Sequence, residues 1–282
     1  MRRRAEDIAA GSTVLAEGTR LTPAAVGLAA SIGAATLEVC RRPRVACFFT
    51  GDELVMPGQP LPAGGIYNSN RFVLNALLRR LGCEVLDLGI VPDSREATRQ
   101  ALREAAEGAD LIISAGGVSV GEEDHVRPAV EAEGQIDLWR VAIKPGRPLA
   151  YGRVGRHGPE GARAAVPGSF AHFIGLPGNP VSAYVTFLLF VRPFVLRLQG
   201  IQAVEPQAVT LISGFDWTNP DRRREFLRAV HLPDGRLGLF RQQGSAVLTS
   251  AVVGHGLIDN PPGQTIRQGD AVRFLSFAEL LN

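Results

Sequence analysis

The chain has 282 residues, 45% of them hydrophobic and 21% charged, with a formal net charge of +2; that is a globular profile with room for one large domain or two modest ones. The small net charge, 6% aromatic content and lack of a Lys/Arg stripe exclude a dedicated nucleic-acid binder, and the longest apolar run, "VSAYVTFLLFV" from Val181, is too short to span a bilayer. Cys40, Cys47 and Cys83 have neither zinc nor disulfide-scaffold spacing, and the basic start "MRRRAEDIAAG" has no apolar h-region, so the expected compartment is a reducing cytoplasm.

Residues 1–40 hold a polar start and an Ala/Gly-rich helical piece, "TPAAVGLAASIGA", with Thr22 as N-cap and Pro23 at the first helical position. Val45 to Phe49 is a continuous apolar run, as in a strand covered on both faces. "NSNRFVLNALLRRLG" then predicts a helix with Phe72, Val73, Ala76 and Leu77 at helical spacing and a stop at Gly82. "EVLDLGIV" is the next strand, followed by the helix "DSREATRQALREAAEG", in which Asp93 and Glu96 are spaced like a capping box. "ADLIISAGG" is a third strand and "DHVRPAVEAEG" a short helix. "IDLWRVAI" and "RPLAYGRV" predict strands on either side of the turn "KPG", and "GRHGPEGARAAVPGSF" a surface loop. "FIGLPG" enters a long helix, "NPVSAYVTFLLFVRPFVLRLQG", with Asn179 as N-cap and Pro180 behind it.

Strands alternating with helices predict a parallel, doubly wound three-layer α/β domain over 41–202. The last eighty or so residues lose the helical period. "QAVTLISGFDW", "REFLRAVHL", "GRLGLFRQQG" and "DAVRFLSF" predict a small all-β barrel or sandwich over 203–282.

Ligands of an open parallel sheet collect at the carboxyl ends of its strands. Four loops fall there: "TGDEL", "GIVPDS", "SAGGVSVGEED" and "GLPGNPVS". Gly116, Gly117 and Gly121, with Ser119 between them, suit a backbone anion nest. Pro177, Gly178 and Asn179 lead into a helix N-terminus, a second anion site, with Ser182 in its first turn. Acids share the same loops: Asp52 and Glu53, then Asp93, then Glu122, Glu123 and Asp124. Carboxylates beside an anion call for a hard cation, and Mg²⁺ binds one or two carboxylates plus phosphate oxygens. Taken singly, each loop also reads as a turn, a helix start or a solvated surface; their shared topology favours a site. Alternation along "WRVAIKPGRP" would point Arg140 and Lys144 to one face. Of the 30 basic residues Lys144 is the only lysine. Arg222, Arg223 and Arg224 form a second basic cluster, with Arg222 and Arg223 read as an exposed face, and "QGSAVLTS" supplies Ser245 and Ser250. The histidines show neither metal-ligand spacing nor a nucleophilic partner.

"TGDELVMPGQPL…IYNSN", "GGVSVGEEDHV", "WRVAIKPGRP" and "GLPGNPVSA", in this order, resemble the molybdopterin molybdenumtransferase family, MoeA, which includes the gephyrin E domain. The resemblance runs from about residue 5 to the C-terminus. It implies molybdate insertion into adenylated molybdopterin with release of AMP and with Mg²⁺, in a homodimer that contacts other molybdenum cofactor biosynthesis proteins. The positions that match are Asp7, Glu53, Asp93, Asp124, Arg140, Lys144, Arg224 and Ser245. Glu53, Asp93 and Asp124 would hold metal or substrate, and Lys144 and Arg224 would orient phosphate or molybdate. Three departures stand out. The family usually carries about a hundred more N-terminal residues, so the resemblance implies that 1–40 is the remnant of an elongated domain. Arg140 replaces a common lysine, and Asn68 a common aspartate. Two other readings remain: nucleotidyl transfer, as in the related adenylyltransferases, and a dimerising scaffold without catalysis.

Overall fold

The computed structural model describes residues 7–117, 125–156 and 170–281. The first described segment carries helix α1 (Pro23–Ser31), where the Thr22 hydroxyl accepts the Ala25 N–H as the sequence predicts. The α/β half follows in the order β1 (Arg44–Thr50), β2 (Leu54–Val55), β3 (Ile66–Tyr67), α2 (Ser69–Arg80), β4 (Glu84–Val91), α3 (Arg95–Gly108), β5 (Leu111–Ala115) and α4 (Val126–Glu133). Then come β6 (Gly134–Trp139), β7 (Ile143–Lys144), β8 (Ala150–Gly155), β9 (Phe170–Leu176), α5 (Pro180–Thr186) and α6 (Arg192–Leu198).

The main sheet has the order β4-β1-β5-β9-β8-β6. β4, β1, β5 and β9 are parallel, while β8 runs antiparallel to both β9 and the edge strand β6, so the doubly wound sheet is mixed rather than wholly parallel. Strand alternation explains the three layers. Val45, Cys47 and Phe49 of β1 pack with α2, α5 and α6, whereas Ala46 and Phe48 pack on the opposite face with α3 and α4. All five residues are buried, as their unbroken apolar run requires.

Several local expectations change. The buried stripe of α2 is Leu74, Leu77 and Leu78, followed by Leu81, while Phe72 and Ala76 are exposed. Asn70 and Asn75 occupy buried positions on that face, and their polar character hid its phase. Ser94, not Asp93, caps α3 by accepting the Ala97 N–H. The apolar helix from Pro180 to Leu198 opens into a π turn at Phe187–Val191. At 19 residues it is, by length and composition alone, apolar enough to cross a bilayer, which the sequence reading had excluded; yet 67% of its apolar window is buried inside the protein, where it serves as the core helix.

A carboxylate clamp ties α3 to the end of α4. Glu133, whose side chain is only 2% exposed, accepts from Arg99 Nε at 2.7 Å and Arg103 Nη2 at 2.8 Å. Glu133→Gln is expected to destabilise the chain by about 2 kcal/mol, below the usual value for breaking a buried pair because both arginines reach solvent. The urea midpoint measures it.

The C-terminal sheet comprises β10 (Val209–Ile212), β11 (Arg224–His231), β12 (Leu237–Leu239), β13 (Gly256–Asn260) and β14 (Ala271–Ser276), with short helices α7 (Thr249–Val253) and α8 (Phe277–Leu280). Its order is β10-β14-β13-β11-β12, and the Ser213–Leu237 bridge brings the two edges together. β13, in "HGLIDN", lies outside the runs that predict strands. The two-residue strand β7 leaves the α/β sheet to pair with β11, matching Ile143 to Arg224 and Lys144 to Glu225. The core is shared as well: Phe226, Leu257 and Phe277 cluster with Leu176, Val181 and Tyr184.

Candidate functional site

The order of the sheet reverses between β1 and β5, the switch point where an α/β sheet leaves a crevice. A cleft of about 780 Å³ opens there. Thr50 and Gly51 line it from the end of β1, Ala115 to Gly117 from β5, and Pro177 to Pro180 with Ser182 from β9 and α5. Glu53, Asn68, Asn70, Asp93, Pro148 and Ala246 complete much of its wall. Of the residues singled out from sequence, Glu53, Asp93, Gly116, Gly117, Pro177, Gly178, Asn179 and Ser182 therefore meet in one place. Ser119, Gly121 and Asp124 lie outside the described residues.

The floor is built by close backbone approach. Gly116 has φ +102°, and a Cβ there would lie 2.2 Å from the Thr50 carbonyl oxygen. Gly117 has φ +63°, and its Cβ would meet Val126 at 2.5 Å. Both glycines are thus required by the turn itself. Asn70 fastens the opposite wall by donating from Nδ2 to the Gly178 carbonyl at 2.7 Å. Asn70→Ala is expected to cost about 1.5 kcal/mol, measured by urea unfolding, because it leaves that carbonyl without its partner.

The floor also carries unsatisfied polar groups. Thr50 Oγ1, Asn68 Nδ2 and Asn70 Oδ1 are buried with no hydrogen-bond partner among the described residues. Asn68 Oδ1 accepts the Arg71 N–H at the start of α2, which directs its amide nitrogen elsewhere. Natural proteins leave few such groups, and a cleft is where they gather. No group of three or more His, Cys, Asp and Glu stands together among the described residues. Glu53 folds back over Gly51, whose Cβ would lie 2.7 Å from its carboxylate.

The predicted cations are placed differently. Arg140 adopts φ +87°, the strand breaks there, and Arg140 and Lys144 do not share one strand face. Turning at Arg140 lets Val141 N donate to the Arg147 carbonyl and carries β7 across to β11. Arg140 is exposed. Lys144 does not line the cleft wall; its Nζ lies 3.4 Å from Asp221 and 3.3 Å from Glu225. Arg224 turns to Asp259, with Nη2 at 2.8 Å from Oδ2, beside a separate groove of about 270 Å³. The neighbouring arginine that shares an acid with Lys144 is Arg223, whose Nη2 lies 2.9 Å from Asp221. Arg223 and the backbone N–H it supplies, with Lys144, hold the Asp221 carboxyl well below the usual carboxylate range. Strand alternation decides between the two arginines: Arg224 stands opposite Ile143, so its neighbours in sequence face the lysine's side. A run of three arginines gave no register in sequence.

Ser245 is half-buried, and its carbonyl accepts the Val181 N–H in the first turn of α5. Asp7 is exposed and is not part of the cleft wall.

Residues 46–197 match the probable molybdopterin binding domain family, and residues 210–277 match the MoeA C-terminal region, domain IV. The chain is 44% identical over 200 residues to a molybdopterin molybdenumtransferase of Haemophilus influenzae, covering 71% of this chain and 46% of that protein. It is 38% identical over 237 residues to molybdopterin molybdenumtransferase 2 of Mycobacterium tuberculosis, covering 82% and 55%. It thus spans about half the length of these relatives. Among solved structures, the molybdopterin biosynthesis MoeA protein of Pyrococcus horikosii superposes with a TM-score of 0.78 at 26% identity, over 96% of this chain and 64% of that one.

Proposed function

This chain belongs to the molybdopterin molybdenumtransferase (MoeA) family, and from that premise we propose that it inserts molybdate into adenylated molybdopterin with release of AMP. The observation that carries the reading is the cleft at the switch point, where two acids, a double-glycine floor and the N-terminus of α5 converge. The positive end of α5 and the turn at Gly116 and Gly117 would favour phosphate oxygens, as helix N-termini do. Asn68 Nδ2, fixed by the cap it makes with its oxygen, would donate to an acceptor on the ligand. Lys144 and Arg223, tied through Asp221, would present positive charge to the tetrahedral oxyanion. Arg224, opposite in direction, would act from the neighbouring groove.

Glu53 and Asp93, the two carboxylates in the cleft wall among the described residues, fit Mg²⁺, which takes one or two carboxylates and fills its shell with substrate oxygens and water. Glu53 and Asp93 would hold it, with Asp124 as the acid the resemblance adds. Such a metal would supply positive charge to offset that of the phosphoanhydride. A homodimer in the cytoplasm, in contact with other enzymes of molybdenum cofactor biosynthesis, completes the proposal.

The test is AMP release by the purified chain given adenylated molybdopterin, Mg²⁺ and molybdate. The expected result is release that needs both the metal and the oxyanion. Adenylation of molybdopterin from ATP in its place would favour nucleotidyl transfer, and a folded protein with neither activity would favour a scaffold.

A further inference from the structure

Glu225 is fully buried at the seam between the two halves of the molecule. A carboxylate in that position stands only when its oxygens are satisfied. Oε2 accepts from Trp217 Nε1 at 2.8 Å and from Asn260 Nδ2 at 3.5 Å, both neutral groups of the C-terminal sheet. Oε1 is left to the Lys144 ammonium at 3.3 Å. The acid is therefore held by Trp217 and Asn260 independently of the lysine.

Seen from the lysine, the arrangement fixes a group that would otherwise wander. An ammonium is a point charge on a flexible four-carbon stem, with three N–H donors. Asp221 and Glu225 approach Nζ from within 3.4 Å, and no third acceptor stands near it among the described residues. The side chain is 44% exposed, which leaves one N–H facing outward. Asp221 is itself held by two bonds from the Arg223 guanidinium.

We propose that Glu225 is a positioning residue, which orients the Lys144 ammonium so that its remaining N–H meets a substrate oxyanion. The inference rests on the reading above that Lys144 takes the oxyanion. It also separates orientation from charge. If Glu225 merely reduced the local positive potential, removing its charge would tighten oxyanion binding; if it orients the lysine, removal weakens binding.

The sole lysine makes the test direct. A full chain labelled with ¹³C,¹⁵N-lysine shows one Cε and one Nζ signal, both from Lys144. The Cε and Nζ shifts are followed against inorganic molybdate. In the unmutated chain molybdate is expected to move the signals saturably. In Glu225→Gln half-saturation should need about tenfold more molybdate. Unchanged or tighter molybdate binding overturns the inference. A Lys144 signal that molybdate never moves in the folded, unmutated chain instead removes the reading of Lys144 as the oxyanion contact. Should Glu225→Gln fail to fold, Trp217→Phe keeps the carboxylate but frees Oε2. It is expected to weaken the molybdate response about threefold, and no change there also overturns the inference.

Discussion

Replacing Gly116 by alanine is expected to destabilise the chain by about 4 kcal/mol and to abolish turnover. Two effects add. At φ +102° an L-residue is strained by about 1–2 kcal/mol, and the new Cβ would sit 2.2 Å from the Thr50 carbonyl oxygen. That oxygen belongs to β1, held on both sides by β4 and β5, so it has nowhere to go. Gly116 in turn donates its N–H to the Leu176 carbonyl at 3.2 Å, so relief in the other direction pulls on β9. Gly263→Ala is the control: its φ is +70° but nothing lies within 4 Å of the added methyl. It should cost only about 1 kcal/mol. Urea unfolding of the pair separates the clash from the backbone strain, and equal losses would refute the close approach.

On the proposed function, Lys144→Ala is expected to lower molybdate-dependent AMP release by about a thousandfold, the scale of losing a charged donor to a reacting oxyanion. Lys144→Arg is the sharper variant. A guanidinium is planar and carries its donors in a rigid fork, whereas Asp221 and Glu225 grip a compact tetrahedral group. The arginine variant should therefore lose about a hundredfold while its charge is unchanged. Every other basic side chain of the molecule is already arginine. Full activity in Lys144→Arg would show that charge alone suffices at that position.

The parts of the fold that sequence made legible share one property: a single pattern decided them. The apolar run of β1, the Thr22 cap and the stop at Gly82 each follow from local chemistry. The cleft was legible because topology sends four separate loops to one edge of a sheet. What escaped depended on partners distant in sequence. The buried face of α2 includes Asn70 and Asn75, which look solvent-facing until Gly178 and Asp87 are brought to them. The strand containing Arg140 breaks because its continuation pairs with β11, some eighty residues on. β8 and β6 read as ordinary strands, and nothing in their alternation announces direction. Register also decided which of Arg223 and Arg224 meets Lys144, and a run of like residues carries none.

The loan of β7 to β11 bears on how such a molecule could be divided or inherited. A cut in the connection between α6 and β10 separates the sequence cleanly but not the structure, since the piece released would lack the strand beside Arg224 and Glu225. Its apolar residues Phe226, Leu257 and Phe277 would lose the neighbours they share with α5 and β9. Neither half is a cassette that recombination could trade intact. Shuffling between related genes should succeed only where the crossover keeps "AIKPG" and "RREF" from the same parent.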